Sequence, residues 1–217
     1  MKAEVKSLVL GPIATNCYIV IHEGHSMVVD PGGSIDGILR IIRGTQLDWI
    51  CLTHRHWDHI LGVDALCAAF PQARVCIHAL DAGAVADPRA NGAANWGMNA
   101  RASQVHKRLV HGDVITLGGD DEQAAPLRFE VLHTPGHSIG SCCFYEPTQK
   151  VLLAGDTLFA GGSWGRTDLP SGSWHQLERS MSDVLSVLPD DVAVYSGHGA
   201  SSTIGTERRL NPYLRRL

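Results

Sequence analysis

The sequence predicts an α/β fold: two similar halves packed as one domain over residues 1–217, with helices on the outer faces of two central sheets. Three observations carry that prediction. Short apolar runs recur along the whole chain, in the manner of buried strands. Two longer segments instead space their apolar residues at helical intervals. And the order strands, helix, strand, helix, strand is followed, after an irregular stretch, by strands, helix, strand, helix.

Taken in order, residues 5–10 and 17–21 read as strands, Glu23-Gly24 as a turn, and 27–29 as a short strand ending at Asp30-Pro31-Gly32-Gly33. Ser34 is placed to cap a helix on which Ile35, Ile38, Leu39 and Ile42 share a face and which Gly44 ends. Residues 49–52 form a buried strand running straight into Thr53-His54. A helix over 60–70 carries Val63, Leu66 and Phe70 on one side and stops before Pro71; 75–77 is the next strand. Residues 86–104, rich in Ala, Asn and Gly, lack periodicity and read either as a surface connection lying over a site or as a disordered excursion. Beyond them, strands are expected at 114–117, 127–132, 141–145, 151–153 and 192–195. A helix over 174–188 aligns Leu177, Met181, Val184 and Leu188, and a short helix starts near Ser202 or Thr203.

With 44% hydrophobic and 18% charged residues the chain can fill a core, which excludes disorder. The formal charge of −4 and the lack of a Lys/Arg block argue against nucleic acid as a partner. Glu4 and Lys6 interrupt the first residues, so no secretory signal is read there, and no apolar run is long enough to span a membrane. The expectation is a cytoplasmic protein acting on a small molecule, as a monomer or small homo-oligomer. The six cysteines form no CxxC pair and read as buried, reduced thiols.

The sharpest feature is His54-Arg55-His56-Trp57-Asp58-His59: three imidazoles and a carboxylate within six residues, directly after a buried strand. Neutral imidazole and carboxylate are the usual ligands of zinc and related metals. On an extended loop His54 and His56 can face one point, while Asp58 and His59, past the bend into a helix, can face another. One loop cannot complete two coordination shells. Three further runs repeat the pattern of apolar strand, small-residue turn and a metal-binding side chain: FEVLHTPGH ending at His137, VLLAGD at Asp156 and VAVYSGH at His198. Gly136, Gly155 and Gly197 allow tight turns there. If the strands run alike, the seven side chains emerge along one rim.

HxHxDH, TPGH, GD and GH, in this order and over nearly the whole chain, resemble the metallo-β-lactamase superfamily. The resemblance implies a four-layer αββα sandwich of two mixed sheets. It implies one metal held by His54, His56 and His137, a second by Asp58, His59 and His198, and Asp156 bridging them. The implied nucleophile is a hydroxide shared by two divalent ions, zinc first, with iron or manganese also found in such proteins; Asp58 is the catalytic candidate that orients it or takes its proton.

GDTLFAGGSWGRTDLPSGS (155–173) and TIGTERRLNPYL (203–214) are similar to the glyoxalase II-like branch, which implies hydrolysis of S-(2-hydroxyacyl)glutathione thioesters. The longer members carry a C-terminal helical region that helps bind glutathione, whereas this chain stops at Leu217, as in shorter ones. The thioester would then be held by the 86–104 stretch and the 160–173 loop. Arg166 is read first as an ion pair with Asp168 and second as a contact to a substrate carboxylate. A persulfide dioxygenase-like enzyme with one iron, and a hydrolase of other esters, lactones or β-lactams, are the competing readings; a binding protein on a decayed scaffold is disfavoured because every ligand position is filled. His78 and His133 are read as strand-end residues or as residues that orient ligands, and His22, His25, His106, His111 and His175 are expected to be solvated. Trp57 and Trp164 are read first as core or rim packing and second as walls of a pocket, and Tyr18 as structural.

Overall fold

A computed structural model describes residues 3–118 and 125–214. Its first sheet follows chain order: β1 (Glu4–Leu10), β2 (Thr15–His22), β3 (His25–Val29), β4 (Gln46–Cys51), β5 (Arg74–His78) and β6 (Lys107–Leu109). The second contains β7 (Val114–Leu117), β8 (Leu127–His133), β9 (Cys142–Glu146), β10 (Val151–Gly155), β11 (Ala193–Ser196) and β12 (Ser202–Thr203), also side by side in sequence order. Both are mixed. β1–β3 are antiparallel and β3–β6 parallel, while in the second sheet only β10 and β11 run parallel.

Side chains alternate across a strand, so each sheet feeds two cores. In β2, Cys17 and Ile19 pack under the helices of the first half, whereas Tyr18 and Val20 face the other sheet. In the second sheet Phe129, Val131, Phe144 and Leu153 point inward and Leu132, Cys143, Leu152 and Val194 outward. The outer layers are α1 (Asp36–Ile41), α2 (Trp57–Ile60) and α3 (Val63–Ala69) on one side, and α4 (Trp174–Arg179) and α5 (Ile204–Leu210) on the other. This is the expected four-layer arrangement. No described helix is long and apolar enough to cross a membrane.

Several elements differ from expectation. Ser34 does not cap α1: the helix begins after Ile35, and the Ser34 hydroxyl bonds the Asp36 carboxylate instead. The helix expected over 60–70 is two pieces, broken where the Gly62 N–H turns to the Pro31 carbonyl at 2.7 Å. The helix expected over 174–188 starts as α4, capped by Ser173, and widens into a π-helical turn over Ser180–Leu185 that keeps Met181 and Leu185 buried. The short last helix starts where expected, as α5 at Ile204, and is capped by Thr203, whose hydroxyl accepts from the Thr206 N–H at 3.1 Å. The two shortest strands, β6 and β12, were not anticipated, because three and two residues are too few to show alternation.

Residues 86–104 are not a disordered excursion. Asn91 is fully buried; its side-chain amide donates to the Val85 and Ala100 carbonyls and its oxygen accepts from Ala93, so Ala93, Ala100 and Ala102 join the first core. All six cysteines are free; five are buried and Cys67 half-buried. His22 and His25 are not solvated: the first is buried beside the Ala125 carbonyl, the second bonds Asp48 at 2.8 Å. His106, His111 and His175 are exposed. Phe144 lies fully buried between the sheets, so Phe144→Ala is expected to cost about 3–5 kcal/mol, measured as a lower urea midpoint with unchanged slope.

Candidate metal centre

Four strands end at one rim: β4 runs on to Thr53-His54, β8 to His137, β10 to Asp156 and β11 to His198. Within the second sheet β8, β10 and β11 run the same way, as the repeated strand-turn-ligand pattern requires. α2 carries Asp58 and His59 on its single turn. The structure brings all seven predicted side chains together. Ligand atoms of His54, His56 and His137 lie within 4.8 Å of one another, as do those of Asp58, His59 and His198. Asp156 stands between: Oδ1 is 3.4 Å from His59 Nε2, and Oδ2 is 3.5 Å from His137 Nε2 and 3.6 Å from His198 Nε2.

Hydrogen bonds on the far side of three rings set which nitrogen faces inward. His59 Nδ1 donates to Asp30 Oδ2 at 2.9 Å and His137 Nδ1 to the Arg166 carbonyl at 2.7 Å. The Thr53 hydroxyl gives its proton to Asp30 at 2.6 Å and so accepts from His54 Nδ1 at 3.0 Å. Each Nε2 is thereby left with its lone pair toward the site. His54 Nε2, His59 Nε2 and Asp156 Oδ1 are buried with no hydrogen-bond partner among the described residues. Orphaned donor atoms of this kind, imidazole and carboxylate together, fit a pair of divalent cations.

Burial, helped by the neighbouring imidazoles, drives His54 well below the ordinary histidine range and His56 down to about 3, keeping both neutral as ligands must be. Burial alone would raise Asp58 and Asp156, but His59 and its neighbours outweigh it; Asp58 is held far below the carboxylate range and Asp156 at about 2. The same carboxylates, with Asp30, overcome burial to hold His59 above its ordinary value.

Three supporting residues were missed in the sequence. Asp30 clamps β4 through the Thr53 N–H at 2.8 Å and orients His59, with its backbone left-handed at φ 52°. The signal was there: MVVD repeats the strand-then-acid pattern of VLLAGD but reads as a turn because Pro and Gly follow. Thr15 donates to Asp58 Oδ2 at 2.8 Å. Asp81, fully buried, accepts from the Arg55 N–H, the Ser138 hydroxyl and the Gly140 N–H, fastening one ligand loop to the other. Neither Thr15 nor Asp81 has a local pattern that would reveal it. His78 and His133 are the strand-end residues of β5 and β8, one of the two readings; instead of orienting ligands, their rings stack on each other at 4.0 Å. Of the turn glycines, Gly197 sits closest to the chemistry: a Cβ there would lie 2.1 Å from Asp156 Oδ1. Gly136, at φ 139°, instead makes room for α4, where a Cβ would meet Leu177 N at 2.3 Å.

A cavity of about 370 Å³ opens over this centre. His56, Asp58, His137, Asp156 and His198 form its floor. Residues 89–92, 95 and 96 contribute one wall, Arg166, Leu169 and Pro170 another. Arg166 pairs with Asp168 through two bonds of 2.7 and 2.6 Å, the ion-pair reading. Trp57 is buried in the first core while edging the cavity, Trp164 packs with Trp174 and Tyr213, and the Tyr18 hydroxyl donates to the Ser196 carbonyl.

Residues 10–198 match the family model described as "Metallo-beta-lactamase superfamily", and the chain belongs to that superfamily. Among curated relatives it is 35% identical to the probable metallo-hydrolase YqgX of Bacillus subtilis (strain 168), over 94% of each chain. It is 32% identical to the hydroxyacylglutathione hydrolase GloC of Haemophilus influenzae (strain ATCC 51907 / DSM 11121 / KW20 / Rd), over 92% of each. Among solved structures it is similar to the BLEG-1 B3 metallo-β-lactamase, with a TM-score of 0.88, 34% identity and 98% and 100% of the two chains covered. It is also similar to TTHA1623 in a di-iron-bound form, with a TM-score of 0.81, 33% identity and 96% and 99% covered. The centre is thus that of a metal-dependent hydrolase with room for two ions.

Asp30→Ala, which frees the His59 ring, is expected to weaken metal binding by about 10- to 100-fold, read by competition with a chromophoric chelator. Gly197→Ala should lower metal content with little change in thermal midpoint; full metal occupancy in that variant would contradict the packing described.

Proposed function

We propose that the protein hydrolyses thioesters of the S-(2-hydroxyacyl)glutathione type. One observation carries this reading: the GRTDLP segment through which the chain resembles the glyoxalase II-like branch lies against the candidate centre. Arg166, Leu169 and Pro170 line the cavity, and the Arg166 carbonyl fixes the ring of His137. The GloC relative supports the same class. In this reading His54, His56 and His137 hold one divalent ion, Asp58, His59 and His198 the other, and Asp156 both. Bound there, such ions polarise a carbonyl and ionise water near neutral pH. The residues themselves do the positioning. Asp58, kept ionised by His59 and His198 and steadied by Thr15, is the acceptor that would orient the attacking water. The walls of the cavity hold the acyl group over the floor.

The test is metal quantification joined to kinetics on S-lactoylglutathione. About two ions per chain and turnover lost on chelation and regained on adding zinc, iron or manganese are expected. His54→Ala and Asp156→Ala should abolish turnover while circular dichroism stays native. The likeness to BLEG-1 makes nitrocefin the control substrate. Preferential nitrocefin hydrolysis, or a single iron with oxygen uptake on glutathione persulfide, would overturn the assignment.

A further inference from the structure

The part of the cavity lined by residues 89–92, 95 and 96 has a chemistry of its own. Three arginines line the cavity, and two are already engaged. Arg166 is neutralised by Asp168, and Arg55 bonds the Pro170 carbonyl with Asp81 3.9 Å from its Nε. Arg89 differs. Its backbone N–H donates to Asp87 at 2.9 Å, but among the described residues its guanidinium has no partner. Trp96 lines the same cavity and is 59% exposed although its ring lies 5.4 Å from that of the buried Trp57. A large aromatic left in water at a cavity mouth awaits an apolar or planar surface, and an uncommitted guanidinium suits a carboxylate. Neither is on a loose strand: the three bonds of Asn91 anchor the segment between them.

We infer that Arg89 and Trp96 form a subsite for a carboxylate-bearing, peptide-like part of the substrate, with Arg89 selecting anionic over neutral thioesters. The inference rests on the thioesterase reading and names its substrate class. The carboxylate could belong to the thiol carrier or to the acyl group. Three substrates separate these sources: S-lactoylglutathione (on the thiol), S-succinyl-N-acetylcysteamine (on the acyl group) and S-lactoyl-N-acetylcysteamine (on neither).

For the metal-loaded protein, R89E is expected to lower the ratio of kcat/KM for S-lactoylglutathione over that for S-lactoyl-N-acetylcysteamine by about 10- to 100-fold. The change should lie in KM rather than kcat, with R89K recovering part of it. The same fall for the succinyl thioester alone would place the carboxylate on the acyl side. An unchanged ratio in R89E for both acids overturns the inference. Binding of S-methylglutathione, followed by tryptophan fluorescence, needs no turnover. It should quench the wild type and be weakened in R89E and, in amplitude, in W96F. Equal binding by wild type and R89E, or none by either, rules out a thiol-side carboxylate and, joined to an unchanged ratio for the succinyl thioester, overturns the subsite. If wild type cleaves no thioester yet binds S-methylglutathione through Arg89, the subsite stands and the thioesterase reading falls.

Discussion

The Cys142 N–H reaches the Thr53 carbonyl at 2.9 Å and the Asn16 N–H reaches the Gly197 carbonyl at 2.7 Å, so the two sheets are joined by main-chain bonds at the rim that carries the ligand atoms. The Asn16 amide adds bonds to the Ser196 and Gly199 carbonyls, and Tyr18 adds one to Ser196. On this joint the centre depends. The seven side chains are divided between the sheets: His54, His56, Asp58 and His59 ride on the first sheet's loop and helix, while His137, Asp156 and His198 come from the second. Sliding one sheet along the other by a single residue repeat, a little over 3 Å, would separate the two sets by more than a metal–ligand bond.

Such a joint is costly to build, since it gathers desolvated donors of one kind in a small space. The structure offsets the cost from outside inward. Asp30, Thr53 and the Arg166 carbonyl take up the outer nitrogens of His59, His54 and His137, and Thr15 takes up Asp58. What remains unsatisfied points to the middle, where cations fit. The same bonds fix the position of function: Arg166 both holds His137 by its carbonyl and, with Leu169 and Pro170, shapes the cavity. Packing of the outer layers, such as Gly136 against α4, sets how far the loops can move toward one another.

Much of the fold was legible because burial imposes periods. Strands such as β2, β4, β5 and β10 are buried on both faces and appear as continuous apolar runs. The boundaries that went astray share a cause: a long-range partner overrode local pattern. Pro31 draws the Gly62 N–H and splits a helix that its apolar spacing would continue. Asn91 orders an Ala- and Gly-rich stretch through carbonyls at Val85 and Ala100, contacts that no periodicity encodes. β6 and β12 exist because a neighbouring strand offers unpaired backbone, not because their own residues demand it.

The sequence by itself determined the chemistry of the centre. Three imidazoles and a carboxylate in six residues, with three more strand-end ligands, have few other uses, and their order pointed to the superfamily that the family model also identifies. Only the tertiary structure decided which residues serve those ligands. Asp30, Thr15 and Asp81 act through hydrogen bonds between segments far apart in the chain, and Arg89 lines the cavity from a segment that Asn91 ties to Val85 and Ala100. A ligand's identity is written in its own side chain, whereas a supporting role belongs to a distance between two segments, and that distance exists only once the sheets have closed.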